Sequence, residues 1–472
     1  MLLTVRFGSL SMEVLSMANY EELRAGHVAY LAGIIPEMVQ RLRWPAERLR
    51  RERQTRLREL LRVALASSPW HRERLGGIDP DSFDEEDLPL IPAMTKDDLM
   101  AHWDAIVTDR RLTLGMVERH LAGVTSDAYL FDELHACASG GSTGRRGVFV
   151  HGFQAWAEEY AGFMRHVLWD RAASPELATL PNNVAVVAAQ HATHMTSSMA
   201  QTFDNPMVQV ERFPVTQPID RIVAGLNDYQ PVALLGYPSA LALLAVEARD
   251  GRLRIAPKRI LSTSEPLLPE VRRSVEDAFG APVANMYGTS EAGPIGVGCW
   301  RGPGLHLCDD MVIVEPVDEA GRPVPPGTRS DKIYVTALSN PTLPLIRFEL
   351  TDQVTFLERA CPCGSAHQLV ADVEGRLDDD FRYPGGVVVH PHVFRSVLAR
   401  EAWIVEYQIR ETPTGAEVLV IGSPGDPDAV GRALEKELAQ MGVAGPAVDV
   451  RVTDGLERQA AGKVRRFQPV PG

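Results

Sequence analysis

Residues 285–293 read NMYGTSEAG. An aromatic ring, a flexible glycine, two hydroxyls and a carboxylate stand here at the end of an apolar run, APVANMY (281–287), that reads as a strand. Comparable runs lie on either side: VAVVAA at 184–189, VALLG at 232–236 and KIYVT at 332–336, with helical patterns between them. That alternation predicts α/β layers. No internal repeat or low-complexity tract is visible.

A second stretch, SGGSTGRRG (139–147), has the density of Gly, Ser and Thr that cradles phosphate. The P-loop of nucleoside triphosphatases needs G-x-x-x-x-G-K-[ST] followed by a helix. Here no Lys-Ser or Lys-Thr pair follows Gly144, and the chain runs into Val148, Phe149, Val150 and His151, a strand pattern. The loop therefore bends between strands. A glycine-rich surface hairpin and a phosphate loop of another kind both remain open from these residues alone.

The 472 residues suffice for two or more domains, and 45% hydrophobic content places the chain in the ordinary globular class. A net charge of −14 argues against a nucleic-acid or anionic-membrane partner. The arginine-rich segment RLRRERQTRLRELLR (48–62) looks like an exception, but Leu57, Leu60, Leu61, Ala64 and Leu65 fall at helical spacing, so its arginines read as a solvated helix face. No run of about 18 apolar residues spans a bilayer. The N-terminus lacks the pattern of a signal peptide. Five cysteines do not make a disulfide framework in a chain this long, and the expectation is a cytoplasmic protein.

Near EGRLDDDFRYPGG (374–386) charges and a Pro-Gly-Gly read as a linker. Beyond it the patterns predict a helix at 391–401, strands near 403–410 and 417–422, and a helix at 428–441 with Val430, Leu434, Leu438 and Met441 on one face. These make a small α+β domain.

Four motifs, NMYGTSEAG, IRFELTD (346–352), EGRLDDD and AAGKVRRF (460–467), follow the glycine-rich loop in order. In that order they resemble the adenylate-forming superfamily of acyl-CoA synthetases, luciferases and adenylation domains. TKDDL (95–99), SEPLLPEVR (264–272), GLHLCDD (304–310) and CPCG (361–364) make the phenylacetate-CoA ligases the nearest branch in resemblance. The likeness runs from roughly residue 50 to 468. It implies a large N-terminal ATP- and acid-binding domain with layered sheets and helices (1–376), and a small mobile α+β C-terminal lid (377–472).

It also implies the reaction: ATP-dependent, AMP-forming activation of a small, aromatic carboxylic acid through an acyl-adenylate, then transfer to CoA as a thioester. The alternative passes the acyl group to an amine, a carrier-protein thiol or another nucleophile. ATP, Mg²⁺ and CoA are the implied cofactors, the acid and CoA the small-molecule partners, and secondary metabolism the implied setting; a homodimer is left open. Such chemistry is mostly positioning and electrostatic stabilisation at phosphorus. By this resemblance the loop, through Ser139, Gly141, Ser142, Thr143, Gly144 and Arg145, meets the β- and γ-phosphates of ATP. The loop lysine common in relatives is absent, with Arg146 and Gly147 in the place of the usual Pro-Lys. Glu265, Tyr287 and Gly288 fall to the nucleotide, Ser290 to the α-phosphate, Glu291 to Mg²⁺, and Asp352 and Arg376 to the ribose. Lys463 is the implied mobile catalytic lysine and Asp378 the hinge. The acid pocket is expected around Gly236 and Tyr237 and around His191 and His194, for which a purely structural role is the alternative.

Cys361 and Cys363 form a C-x-C, and Cys299 and His306 stand upstream. Three thiolates and an imidazole are a full tetrahedral set for structural zinc, with simple buried cysteine packing as the other reading. Cys137 and Cys308 are expected to be isolated core or surface thiols.

Overall fold

The computed structural model describes residues 8–139, 146–205, 207–302, 304–373, 375–376, 379–401, 403–459 and 462–470. Its centre is a nine-stranded mixed sheet. Five strands, Gln209–Pro214, Asn183–Ala188, Ala233–Gly236, Arg259–Thr263 and Val283–Thr289, run parallel in that spatial order. The sheet continues antiparallel through Gly293–Val297, Leu305–Leu307, Leu369–Val370 and Phe356–Leu357. Helices Met195–Thr202, Ile219–Tyr229, Pro238–Arg249 and Pro269–Phe279 connect the parallel strands. This is the α/β architecture that alternating apolar runs demand, because a parallel pair needs a crossover. Three of the four expected strands fall in this sheet; the fourth, Lys332–Ala337, instead centres a three-stranded antiparallel sheet between Val312–Val317 and Phe348–Leu350.

Helix Ala46–Ser67 buries Leu57, Leu60, Leu61 and Ala64, as its spacing requires. Its arginines are not merely solvated. Arg53 pairs with Glu85 at 2.6 Å and Arg56 with Glu158 at 2.8 Å, each arginine side chain at most 17% exposed. The basic face is matched by carboxylates from other elements, which a single helix pattern cannot show.

The stretch read as a linker is partly structured. Phe381–Tyr383 and Val387–Val389 pair as an antiparallel hairpin, with Phe381, Tyr383 and Val389 buried. Beyond it, helices Pro391–Leu398 and Pro427–Gln440 pack with a four-stranded sheet in the order Ala447–Val452, Gly415–Gly422, Ile404–Thr412, Phe467–Gln468. Val430, Leu434 and Leu438 face the core. Met441 does not: it caps the helix and is 45% exposed. One buried apolar cluster runs without a break from Val187, Leu241 and Leu244 beside the large sheet to Tyr407, Val418 and Leu434 in the small one. No helix among the described residues is long and apolar enough to cross a membrane.

Candidate active site

Ligands of open parallel sheets bind beyond the carboxyl ends of the strands. The chain places its candidate groups there. His191 and His194 follow Asn183–Ala188, Gly236 ends its strand and Tyr237 follows, Glu265 follows Arg259–Thr263, and Ser290 and Glu291 occupy the turn after Val283–Thr289. That turn must be tight. A Cβ on Gly288 would lie 2.5 Å from the Phe163 ring and 2.9 Å from the Gly293 carbonyl oxygen, so only glycine fits. Ser264, before Glu265, holds φ 70°, a left-handed conformation costly for a non-glycine residue.

Across the site, Arg376 Nε donates to Asp352 Oδ1 at 2.9 Å, and the two residues form an isolated antiparallel bridge. Asp352 is 4% exposed. Burial, and then the Asp352 charge, hold the Tyr287 hydroxyl in its neutral form. Burial pushes the Glu291 carboxyl up, opposed by the nearby Lys96 and Arg376 charges.

Lys463 arrives from the far end of the chain. It lies on a tight hairpin in which Arg458 bridges Val464, Gln459 N donates to Lys463 O at 2.9 Å, and Gly462 N donates to Gln459 O at 2.7 Å. Burial pulls the Lys463 ammonium down, as does Arg376, while Glu265 and Glu291 hold it up. The lysine, both carboxylates and the arginine therefore share one electrostatic field.

His194 is half-buried and caps helix Met195–Thr202, and His191 is exposed before it, with ring centroids 5.7 Å apart. Neither lies inside the helix. Burial, then Lys463, His191 and Arg146, pull the His194 imidazole down to about 4, so it is neutral at ordinary pH. Gly141, Ser142, Thr143, Gly144, Arg145 and Asp378 lie outside the described residues.

Lys96 is a site cation that no motif-based role marks. It opens helix Lys96–Ile106, fixed by a capping box in which Asp98 N donates to Thr95 Oγ1 at 3.1 Å and Thr95 N donates to Asp98 Oδ2 at 2.8 Å. Lys96 Nζ donates to Ser139 Oγ at 3.1 Å, and Ser139 Oγ also accepts from Gly147 N at 2.8 Å. An ammonium from another element thus stands at the base of the glycine-rich loop, where that loop has no lysine. The signal is present in TKDDL, but the fold alone carries it across the intervening residues.

At the antiparallel side of the large sheet, Cys299, His306, Cys361 and Cys363 are all buried, with ligand atoms within 4.8 Å of one another. Cys299 Sγ lies 3.5 Å from Cys361 Sγ, and Cys363 Sγ lies 3.4 Å from His306 Nε2. A tetrahedron with metal bonds of about 2.0–2.3 Å has donor–donor edges of roughly 3.3–3.8 Å, so the donor set fits zinc. Cys137 and Cys308 are both buried; Cys137 is not isolated, since its Sγ lies 3.5 Å from His151 Nε2.

No family model matches the chain. A phenylacetate-coenzyme A ligase of Thermus thermophilus is 26% identical over 388 residues, 77% of this chain and 78% of that protein. Among solved structures, 2-hydroxyisobutyryl-CoA ligase in its postadenylation state superposes with a TM-score of 0.69 at 21% identity, covering 92% of this chain and 91% of that one. The chain is thus similar in sequence to an acid–CoA ligase over most of its length and shares the fold of another. The same ligase in its thioesterification state gives a TM-score of 0.58 at 23% identity, with 91% of each chain covered. The fold of this chain therefore superposes better on the first of these two structures than on the second.

Proposed function

We propose that the chain is an ATP-dependent, AMP-forming acid–CoA ligase. The observation that carries this reading is the meeting of Lys463, from the C-terminal hairpin, with Glu291 and Arg376 at the carboxyl edge of the parallel sheet. A carboxylate oxygen of the acid attacks the α-phosphorus of ATP, its P–O bond to pyrophosphate breaks, and an acyl-adenylate forms. A thiol sulfur then attacks the acyl carbon and AMP leaves.

The residues divide this work. Asp352, buried and held by Arg376, accepts from the ribose hydroxyls, and Tyr287 and Gly288 shape the nucleotide wall. Ser290 and Lys463 meet the α-phosphate oxygens, where charge accumulates. Ser139, Lys96 and the loop at 140–145 take the leaving phosphates. Glu291 would hold Mg²⁺, which prefers carboxylate and phosphate oxygens and neutralises the triphosphate. His194, His191, Gly236 and Tyr237 border the acid, for which an aromatic ring with a polar substituent suits apolar walls and a neutral imidazole. Residues 377–472 form the lid, with Asp378 at its hinge. Cys299, His306, Cys361 and Cys363 hold a structural zinc.

Pyrophosphate release from a panel of aryl acids, measured with and without CoA, tests the reading. A CoA ligase releases pyrophosphate and accumulates the CoA thioester. Pyrophosphate release with no thioester when CoA is present assigns the transfer to another nucleophile, and no release with any acid overturns the proposal. Lys463→Ala should slow adenylate formation by orders of magnitude and spare thioester formation from supplied phenylacetyl-adenylate.

A further inference from the structure

The side chain of Glu265 does not point at an empty pocket. Its Oε2 accepts from Ser239 N at 3.0 Å, and its Oε1 accepts from Ser239 Oγ at 3.2 Å and from Val464 N at 2.8 Å. Glu265 is 7% exposed, Ser239 1% and Val464 7%, so these bonds lie out of water and are worth more than surface ones. Val464 is the residue after Lys463. The carboxylate thus joins the start of helix Pro238–Arg249 to the strand of the hairpin that carries the lysine.

Two further contacts press the same hairpin onto the large sheet. Arg458 Nη1 donates to Gly462 O at 2.8 Å and to Ser239 Oγ at 3.4 Å, so the serine hydroxyl links Glu265 to the hairpin's other strand. Gly462 has φ 70°, and a Cβ there would stand 2.7 Å from Ala189 Cβ and 3.0 Å from Val215 Cγ2. Gly462 is therefore seated backbone-first against residues that follow the strands Asn183–Ala188 and Gln209–Pro214.

We propose that Glu265 is the positioning residue of Lys463: it latches the C-terminal hairpin by the Val464 amide and so sets the arrangement in which the lysine reaches the nucleotide. This rests on the reading of Lys463 as the adenylation lysine. A latch of this kind acts in one half-reaction only. When the small unit turns away for thiol transfer, the Val464 amide leaves and Glu265 keeps its two bonds to Ser239, so the open arrangement leaves no bare buried charge.

Hydrogen exchange of the full chain, followed by mass spectrometry on the 458–464 peptide, reads the latch without any acid substrate. Glu265→Ala should speed exchange there at least tenfold while peptides of the large sheet stay as in the wild type. The same variant should lower adenylate formation at least tenfold and leave thioester formation from phenylacetyl-adenylate within twofold. Unchanged exchange at 458–464, or equal losses in both half-reactions, would overturn the proposal. If Glu265→Ala does not fold, Val464→Pro carries the test: it removes the donor, keeps the carboxylate, and should loosen 458–463 to the same degree. If the wild type adenylates no acid, the functional reading fails, and the exchange experiment still decides the latch.

Discussion

At the base of the 139–147 loop, Lys96 Nζ donates to Ser139 Oγ at 3.1 Å and counters the Glu291 carboxylate. Its place is fixed from behind: Trp103 Nε1, on the same helix, donates to Val148 O at 2.9 Å in the strand that leaves the loop. On the proposed reading, a cation held this firmly would act most on the outer phosphates. Lys96→Met should therefore weaken ATP binding and leave AMP binding within twofold, by titration calorimetry. A charged hydrogen bond of about 1.5–3 kcal/mol corresponds to a loss of roughly tenfold to a hundredfold for ATP. Equal losses for ATP and AMP would make Lys96 a scaffold residue. Local motif reading singles out Asp352, Glu291 and Lys463 because each sits in a short ordered pattern. It gives Lys96 no role because the loop it serves begins 43 residues later.

The elements show the same division. Strands Asn183–Ala188 and Ala233–Gly236 announce themselves by continuous apolar runs, since a central parallel strand is covered on both faces. The hairpin at 381–389 is hidden by neighbouring charges and by Pro384-Gly385-Gly386, which punctuate like a linker but form its turn, with Gly385 and Gly386 at φ 84° and 78°. The cysteine cluster is intermediate. C-x-C is legible, whereas closure depends on strand Leu305–Leu307 carrying His306 beside Leu369–Val370. If the four donors hold zinc, purified protein should contain about one zinc per chain by elemental analysis. Cys361→Ser should lose it and lower the melting temperature, because metal affinity here is folding free energy. Zinc-free protein with undiminished thermal stability would count against the site.

At the scale of the whole molecule, the small sheet does not stand apart. It shares a buried apolar cluster with the large one, and a cleft of about 840 Å³, lined by residues that include Ile222, Leu243, Glu247, Trp403 and Arg458, opens between them. An interface that combines packed contacts with an open cleft can come apart without unfolding either side. ATP with Mg²⁺ should slow hydrogen exchange at 458–464, because it supports the arrangement seen here. A sulfamoyl mimic of phenylacetyl-adenylate, added together with CoA, should reverse that protection. Protection that is the same with both ligand sets would mean that one arrangement serves both steps.

The distance along the chain between Glu265 and Val464 is 199 residues. Synthesis proceeds at about 5–20 residues per second, so roughly ten to forty seconds separate the two ends of that bond on the ribosome. Throughout that interval the nascent protein can assemble the strands that precede His194, Glu265 and Glu291, yet the lysine does not exist. On the proposed reading, the adenylation lysine joins a site whose other groups have already emerged. If that reading holds, a chain that stops before residue 463 should bind ATP and form no adenylate.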